Sequence, residues 1–393
     1  MSDFSSMDRL LARFAEKTAP GCACVILKDG EVVYEGYAGY ADVENRIPID
    51  RHSMFRQAST TKLFTYAICM MLYEQGEFLL NEPLYAYLPA WRDTKKFVTL
   101  PNGELRVVPV ERPVTIRDAL TMSCGLPYCM SPLPFPSTNP TLNAMSEAMK
   151  PLCADGRVPT LQEEAEAMSR VPIMFEPGTH WQYGFGSELV GALVEVITGK
   201  SVRRNMQEKL IEPLGLKDTA TLLDADMAKK LVCSYHGLPD GTLAKIPPEA
   251  DATLLAGSVP EGSRAQLNAS ARDFAVFMSM LAAGGVYKGQ RLLGRKTIDL
   301  MRTNHLNEAQ LKDFTNSYLA GYGYGLGVRT LMDKAAGQHN GSIGAFGWTG
   351  GAGTWAEADP AEGIAIAYGH NMMPNKEEYH HLRVRAVAYG CLE

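Results

Sequence analysis

The stretch Arg56-Gln57-Ala58-Ser59-Thr60-Thr61-Lys62-Leu63-Phe64-Thr65-Tyr66-Ala67-Ile68 decides how the rest of the chain is read. Leu63, Phe64, Ala67, Ile68, Met71 and Leu72 recur at helical spacing. Ser59 stands where a helix N-cap hydroxyl is favoured, and Gly76 follows the pattern where a helix can stop. Ser59 and Lys62 are three apart, so a helix puts them one turn apart on one face. A serine hydroxyl is a poor nucleophile until a neighbouring base takes its proton. A lysine can be that base if burial or a second cation lowers its pKa. The free N–H groups of a helix start also point at the reacting oxygen. S-x-x-K occurs once in the chain, and alone it also describes an ordinary serine cap with an exposed lysine.

Working outward, the 393 residues are 46% hydrophobic, enough for a large core in two or three domains. The net charge of −6 comes from interspersed acids and bases, and no basic run marks a nucleic-acid surface. The opening MSDFSSMDRLLARFAEK reads as a short amphipathic helix and not as a secretory leader. No window approaches the roughly 18 to 20 apolar residues of a membrane span. Neither a nucleic acid nor a membrane is therefore an expected partner. Cys22, Cys24, Cys69, Cys124, Cys129, Cys153, Cys233 and Cys391 are scattered with no C-x-x-C, which predicts reduced, mostly buried thiols in a cytoplasmic protein.

Residues 5–17 read as a helix, and Cys22–Lys28 and Glu31–Tyr37 as a hairpin turning at Asp29-Gly30. A short strand near Phe55 leads into the Ser59 helix. From about Leu79 helical patterns dominate: Thr115–Ser123, Leu161–Ser169, Ser187–Thr198 and Val202–Ile211, with Gly199 and Gly215 as stops. Residues 128–140 form a proline-rich loop. Ser270-Ala271-Arg272-Asp273 opens a helix to about Leu281 with a capping box. Strands follow at Tyr324–Arg329, Gly353–Glu357 and Gly363–His370, and Glu377–Tyr389 closes the chain as a helix. Strands at both ends around a helical middle predict an α+β fold. Its antiparallel sheet is built from both termini (1–78 and 285–393), a mostly helical domain (79–284) is inserted, and the site lies in the cleft between them.

Other catalytic signatures are absent: no G-x-S-x-G, no H-E-x-x-H and no Walker loop. The histidines show no metal spacing, His380-His381 reads as an exposed helix face, and no metal or cofactor is expected. Two stretches support Ser59. Glu176-Pro177-Gly178-Thr179-His180-Trp181-Gln182-Tyr183 is a turn-rich loop that can present Tyr183, whose phenol beside a lysine can shuttle a proton. Gly344-Ala345-Phe346-Gly347-Trp348-Thr349-Gly350-Gly351-Ala352-Gly353-Thr354 lets a strand backbone approach a ligand, so that the Gly351 and Ser59 N–H groups can form an oxyanion hole.

The order S-x-x-K, Tyr, late glycine-rich strand resembles the serine hydrolases of the class C β-lactamase and penicillin-binding type. Thr121-Met122-Ser123-Cys124-Gly125-Leu126-Pro127-Tyr128 is similar to that group's T-x-S-G-L stretch, with Cys124 as a departure. Phe175–Tyr183 is similar to its F-x-P-G-x-x-x-x-Y loop, and Glu212-Pro213-Leu214-Gly215-Leu216-Lys217-Asp218-Thr219 to its P-L-G-M-x-x-T segment. Trp348-Thr349-Gly350 stands where K-T-G is usual, and Phe185 where β-lactamases carry the Asn of Y-x-N. Both changes make the pocket less polar and less cationic. Phe346-Gly347-Trp348 with its following glycines most resembles the family VIII carboxylesterases. The segment 261–268 lacks the clustered glycines expected of the group.

The resemblance implies a β-lactamase-like fold and an esterase acting on a small-molecule ester. Ser59 is the nucleophile, Lys62 with Tyr183 takes the proton, Ser59 and Gly351 form the oxyanion hole, and Trp348, Tyr128, Phe185 and Gly350 line the pocket. Arg264 or Lys334 could replace the missing lysine. The alternatives are a β-lactamase, a D-amino-acid peptidase or an acyltransferase of the same fold, or a binding and sensing domain without turnover. The natural ester and the oligomeric state are left open.

Overall fold

The computed structural model describes residues 3–129, 135–238, 240–315 and 319–392. The expected hairpin forms, with β1 (Gly21–Lys28) antiparallel to β2 (Glu31–Asp42). After β3 (Ile47–Pro48), the sheet resumes near the other end of the chain. There it comprises β4 (Tyr322–Tyr324), β5 (Arg329–Leu331), β6 (Phe346–Gly350), β7 (Thr354–Asp359) and β8 (Ile364–His370). The strand order is β4-β5-β6-β7-β8-β1-β2-β3, and every neighbouring pair is antiparallel. Cys22 lies opposite His370, so the two ends of the chain meet in mid-sheet.

The helices that frame the site are α1 (Ser5–Lys17), α2 (Thr61–Glu74), α3 (Leu161–Ser169), α4 (Gly186–Thr198), α5 (Ala271–Ala282) and α6 (Glu377–Cys391). β1 carries no charged side chain before Lys28 because both of its faces are covered. Cys22, Cys24 and Ile26 join Leu10, Leu11 and Phe14 of α1 and Val384 and Ala388 of α6 in one core. Ala23, Val25 and Leu27 turn the other way, into the main core with Leu63, Phe64, Phe274 and Phe277. Each fully buried aliphatic side chain contributes about 1.5–3 kcal/mol. α5 belongs to the stretch expected to lie in the helical lobe, yet it packs on the sheet against β1, β7 and β8.

Several expectations need correction. Tyr324–Arg329 is not one strand but the turn between β4 and β5, closed by Gly325 N–H donating to Val328 O at 2.7 Å. Gly327 has φ of 82°, and a Cβ there would fall 2.0 Å from the Tyr66 ring. Only glycine fits both the conformation and the space. The capping box at Ser270 is half made. Ser270 accepts from Asp273 N–H at 3.1 Å, but the Asp273 carboxylate accepts from Asp218 N–H (2.7 Å) and Thr219 Oγ1 (3.0 Å) instead. Val202–Ile211 is α-helical only over Val202–Met206 and continues as a wider π turn.

His380 and His381 are not on an exposed face: they are 0% and 2% exposed. α6 turns them onto the sheet, where His380 stacks on Phe14 (4.3 Å between centroids) and its Nδ1 lies 2.6 Å from Tyr368 Oη. Of the loop 128–140, residues 130–134 lie outside the described residues. All eight cysteines are free thiols; Cys22, Cys24, Cys69, Cys124 and Cys391 are buried and Cys153 is exposed. Among the described residues, no helix is long and apolar enough to cross a membrane.

Candidate active site

The strand Met54–Arg56 pairs with Asn268–Ser270 and delivers the chain to a sharp turn. Ala58 sits there at φ 46°, a left-handed conformation that costs free energy for a residue with a Cβ. A 3₁₀ turn, Ala58–Thr60, follows, and only then does α2 begin. Ser59 is therefore not the N-cap of α2; Thr60 holds that position without a side-chain cap bond. The strained turn is pinned from beneath. Thr60 Oγ1 and Thr354 Oγ1 both donate to Gln57 O (2.7 and 3.0 Å), and Gln57 Nε2 donates to Ala269 O at 3.1 Å. The end of β6 abuts it so closely that a Cβ on Gly350 would lie 2.3 Å from Gln57 O. Gly351 is just past the last register pair, Gly350 opposite Thr354, and the space above its Cα is open.

Lys62, on the first turn of α2, donates from Nζ to Ser59 Oγ at 3.3 Å. Its ammonium lies 5.3 Å from the Tyr128 ring centroid and 5.5 Å from that of Tyr183. Tyr183 is held by its oxygen, which accepts a 3.1 Å hydrogen bond from the Trp348 indole N–H. Trp181, Tyr324 and Trp348 pack around this pair, with Trp348 at 5.4 Å from Tyr183 and 5.2 Å from Tyr324. The sequence thus brings together residues 59, 62, 128, 183 and 348 in one cluster.

The electrostatics differ from the expectation for Lys62. Burial pulls its pKa down, but Tyr183, Tyr128 and Glu188 together outweigh burial and hold the amine above the ordinary lysine value. Lys62 is thus kept as an ammonium, the opposite of the depressed pKa that a free lysine base needs. Tyr128 is pushed up, chiefly by burial and then by Glu188, so it stays a neutral phenol.

Glu188 was not legible as a site residue, since an acid in the first turn of a helix is commonplace. Its carboxylate accepts from Ser187 Oγ at 2.6 Å and from Tyr128 Oη at 3.4 Å. A cavity of about 200 Å³ opens beside Ser59, walled by Lys62, Tyr128, Ser187, Glu188, Arg264 and Gln266 among others. Besides Lys62, the cavity holds a second cation, Arg264, which is already committed. Its Nε donates to Glu164 Oε2 at 2.6 Å, and Nη1 is 3.8 Å from Glu188 Oε1. Lys334 is exposed and forms no part of the wall.

Of the expected pocket residues, Tyr128 lines this cavity. Trp348 is 6% exposed and spends its N–H on Tyr183, and Gly350 packs on Gln57. Phe185 is 2% exposed, beneath the Arg264 guanidinium at 4.8 Å. It lines a second cavity of about 340 Å³ that shares Arg264 and Gln266 with the first and includes Met149, Val158, Leu254 and Val259. Among the described residues, no group of three or more His, Cys, Asp and Glu side chains is arranged to hold a metal ion.

Comparison with known proteins agrees with this architecture. Protein Rv1367c of Mycobacterium tuberculosis is 26% identical over 359 residues, spanning 88% of this chain and 84% of that protein. Esterase EstB of Burkholderia gladioli is 28% identical over 229 residues, or 57% of this chain and 53% of its own. Among solved structures, EstCE1, described as a hydrolase with promiscuous acyltransferase activity, superposes with a TM-score of 0.77 at 22% identity, covering 98% of both chains. That likeness shows the fold: a β-lactamase-like α+β arrangement of antiparallel sheet and helices, as the sequence predicts. The Beta-lactamase family model matches residues 7–389, and the chain belongs to that family.

Proposed function

We propose that this chain is a serine hydrolase that cleaves carboxylic esters through an acyl-enzyme on Ser59. The observation that carries the reading is the Lys62 Nζ–Ser59 Oγ hydrogen bond of 3.3 Å, set beside a Tyr183 whose oxygen is fixed by Trp348. Ser59 Oγ attacks the ester carbonyl carbon. Tyr183 enters this step as its phenolate, favoured by the Lys62 ammonium and the Trp348 N–H, and its Oη takes the Ser59 proton. The Ser59 and Gly351 N–H groups receive the oxyanion. The tetrahedral intermediate collapses, and Tyr183 protonates the departing alkoxide. Water then attacks the acyl carbonyl, Tyr183 takes its proton, and Ser59 leaves reprotonated with release of the acid. Lys62 acts in this scheme as a fixed cation and not as the base.

Within the family, Phe346-Gly347-Trp348 favours the family VIII carboxylesterases. The second cavity, with Phe185, Met149 and Leu254 on its wall, suits an apolar acyl or alcohol group of a neutral ester. The site would lie between the sheet (1–78 with 285–393) and the segment 79–284, and eight free thiols fit a cytoplasmic setting. A second reading, acyl transfer to an alcohol in place of water, is favoured by the likeness to EstCE1.

The test is intact-mass detection of an acyl or phosphonate adduct after exposure to nitrophenyl butyrate or a fluorophosphonate. It is paired with Ser59→Ala, which should lose at least about a thousandfold in hydrolysis while keeping its circular dichroism. Turnover retained by a folded Ser59→Ala protein would end the assignment.

A further inference from the structure

The Gly350–Gly351 peptide carries the N–H assigned above to the oxyanion hole, and no side chain of its own restrains it. Both flanking residues are glycine, so no Cβ resists a rotation that would exchange its C=O and N–H directions. In a trans peptide those two groups point opposite ways. Whatever anchors the Gly350 carbonyl on one side therefore aims the Gly351 N–H to the other.

Two donors hold that carbonyl. One is local: Gly353 N–H closes the turn onto Gly350 O at 3.0 Å. The other comes from the loop before α6, where Asn375 Nδ2 donates to Gly350 O at 2.9 Å. The same nitrogen lies 3.4 Å from Glu377 Oε2, while Asn375 Oδ1 is buried without a partner. The amide is thus placed for what its nitrogen donates. Asn375 is itself fixed through its backbone, since His370 Nε2 donates to Asn375 O at 2.8 Å. The other ring nitrogen, Nδ1, accepts from Met372 N–H at 3.2 Å, which sets the tautomer.

We propose that Asn375 is a positioning residue for the oxyanion hole, holding the Gly350 carbonyl so that the Gly351 N–H faces the acyl group on Ser59. This rests on the ester-hydrolase reading above. Asn375 touches neither Ser59 nor, on this account, the substrate. It acts through one peptide plane, so its loss affects the transition state far more than ground-state binding.

The experiment compares wild type with Asn375→Ala and Asn375→Leu, the second keeping bulk without a donor. Three readouts are taken on nitrophenyl butyrate and phenylboronic acid: kcat, KM and boronate affinity. The boronate adds to Ser59 as a tetrahedral anion and so reports on the hole. Loss of a whole oxyanion donor costs about a hundredfold or more, so loosening one is expected to lower kcat by roughly tenfold or more. KM should stay within about twofold, and boronate affinity should fall in step with kcat. A folded variant with wild-type kcat overturns the proposal. So does a loss confined to KM, or a kcat loss with boronate affinity unchanged. If one variant fails to fold, the other decides. If wild type itself gives no Ser59 adduct and no turnover, the hydrolase reading fails, and the positioning role falls with it.

Discussion

β6 separates two sets of titratable groups that behave in opposite ways. Trp348 points from one face of the strand toward Tyr183, on the side of Lys62; Thr349, the next residue, points from the other toward Glu377 and His381. On the front, charge survives burial, and Lys62 is held above its ordinary value by Tyr183, Tyr128 and Glu188. On the back, burial wins. It pushes His370 down to about 4, His380 down to about 3 and His381 well below the usual range, and it pushes Glu377 up to about 7. His370, His380 and His381 are fully buried, while Lys62, Tyr183, Glu188 and Arg264 keep partial exposure, so depth and neighbouring charge both enter. A buried group stays ionised only where a group of opposite charge is packed beside it. The front face has such partners, and a polar transition state can form there. The back face is a neutral scaffold that holds peptide planes and ring tautomers.

The most severe way to break this contrast is Lys62→Met, which keeps the length of the side chain and removes its charge. The front would then bury Glu188 with Arg264 as its remaining cation, and the phenolate proposed for Tyr183 would lose its ammonium. General acid–base assistance is typically worth 10²–10⁴, so kcat/KM for nitrophenyl butyrate should fall about a thousandfold. An activity within tenfold of wild type would mean that the charge of Lys62 is not used.

Substrate choice sharpens the contrast at the next level. A β-lactam brings a carboxylate into a cavity where Lys62 is bonded to Ser59 and the other cation, Arg264, is already paired with Glu164. Trp348, in the place of the usual lysine, has given its N–H to Tyr183. One missing charge-assisted contact is worth about 1.5–3 kcal/mol, or roughly one to two decades. Nitrocefin should therefore be turned over at least about tenfold less efficiently than nitrophenyl butyrate in one preparation. Equal or better nitrocefin turnover would show that a cation in the cavity is free after all.

The back face is tested by acid. His380 titrates at its ordinary 6.5 when unfolded but near 3 when folded, so the folded state is the one that refuses the proton. Its contribution is complete above pH 6.5 and is lost progressively as pH falls toward 3. At about 1.4 kcal/mol per pH unit, the loss from one histidine by pH 5 is about 2 kcal/mol. His380→Gln should then show a drop in urea-unfolding free energy between pH 7 and pH 5 that is smaller than that of wild type by about this amount. The same acid response in both proteins would show that His380 is not kept neutral.

Much of this molecule could be read from short-range patterns. The helical spacing after Ser59, the Asp29-Gly30 hairpin, the stops at Gly199 and Gly215 and the pairing of Ser59 with Lys62 depend on residues within a turn or two of one another. Where reading failed, a distant contact had overridden the local signal. Asp273 left its own helix start for Asp218, and the turn at Gly327 is shaped by the Tyr66 ring.

What the sequence by itself determined was the grouping of Ser59 with Lys62 and Tyr183, the α+β class and the meeting of both chain ends in one sheet. These follow from residue type and periodicity. Only the tertiary structure decided that Lys62 is a cation, that Trp348 serves Tyr183 before any ligand, that His380 and His381 are buried, and that Asn375 reaches Gly350 O. Each of these depends on which group of which charge or hydrogen-bonding type lies within a few ångströms in space. That neighbour is often more than a hundred residues away along the chain, and no local pattern encodes it.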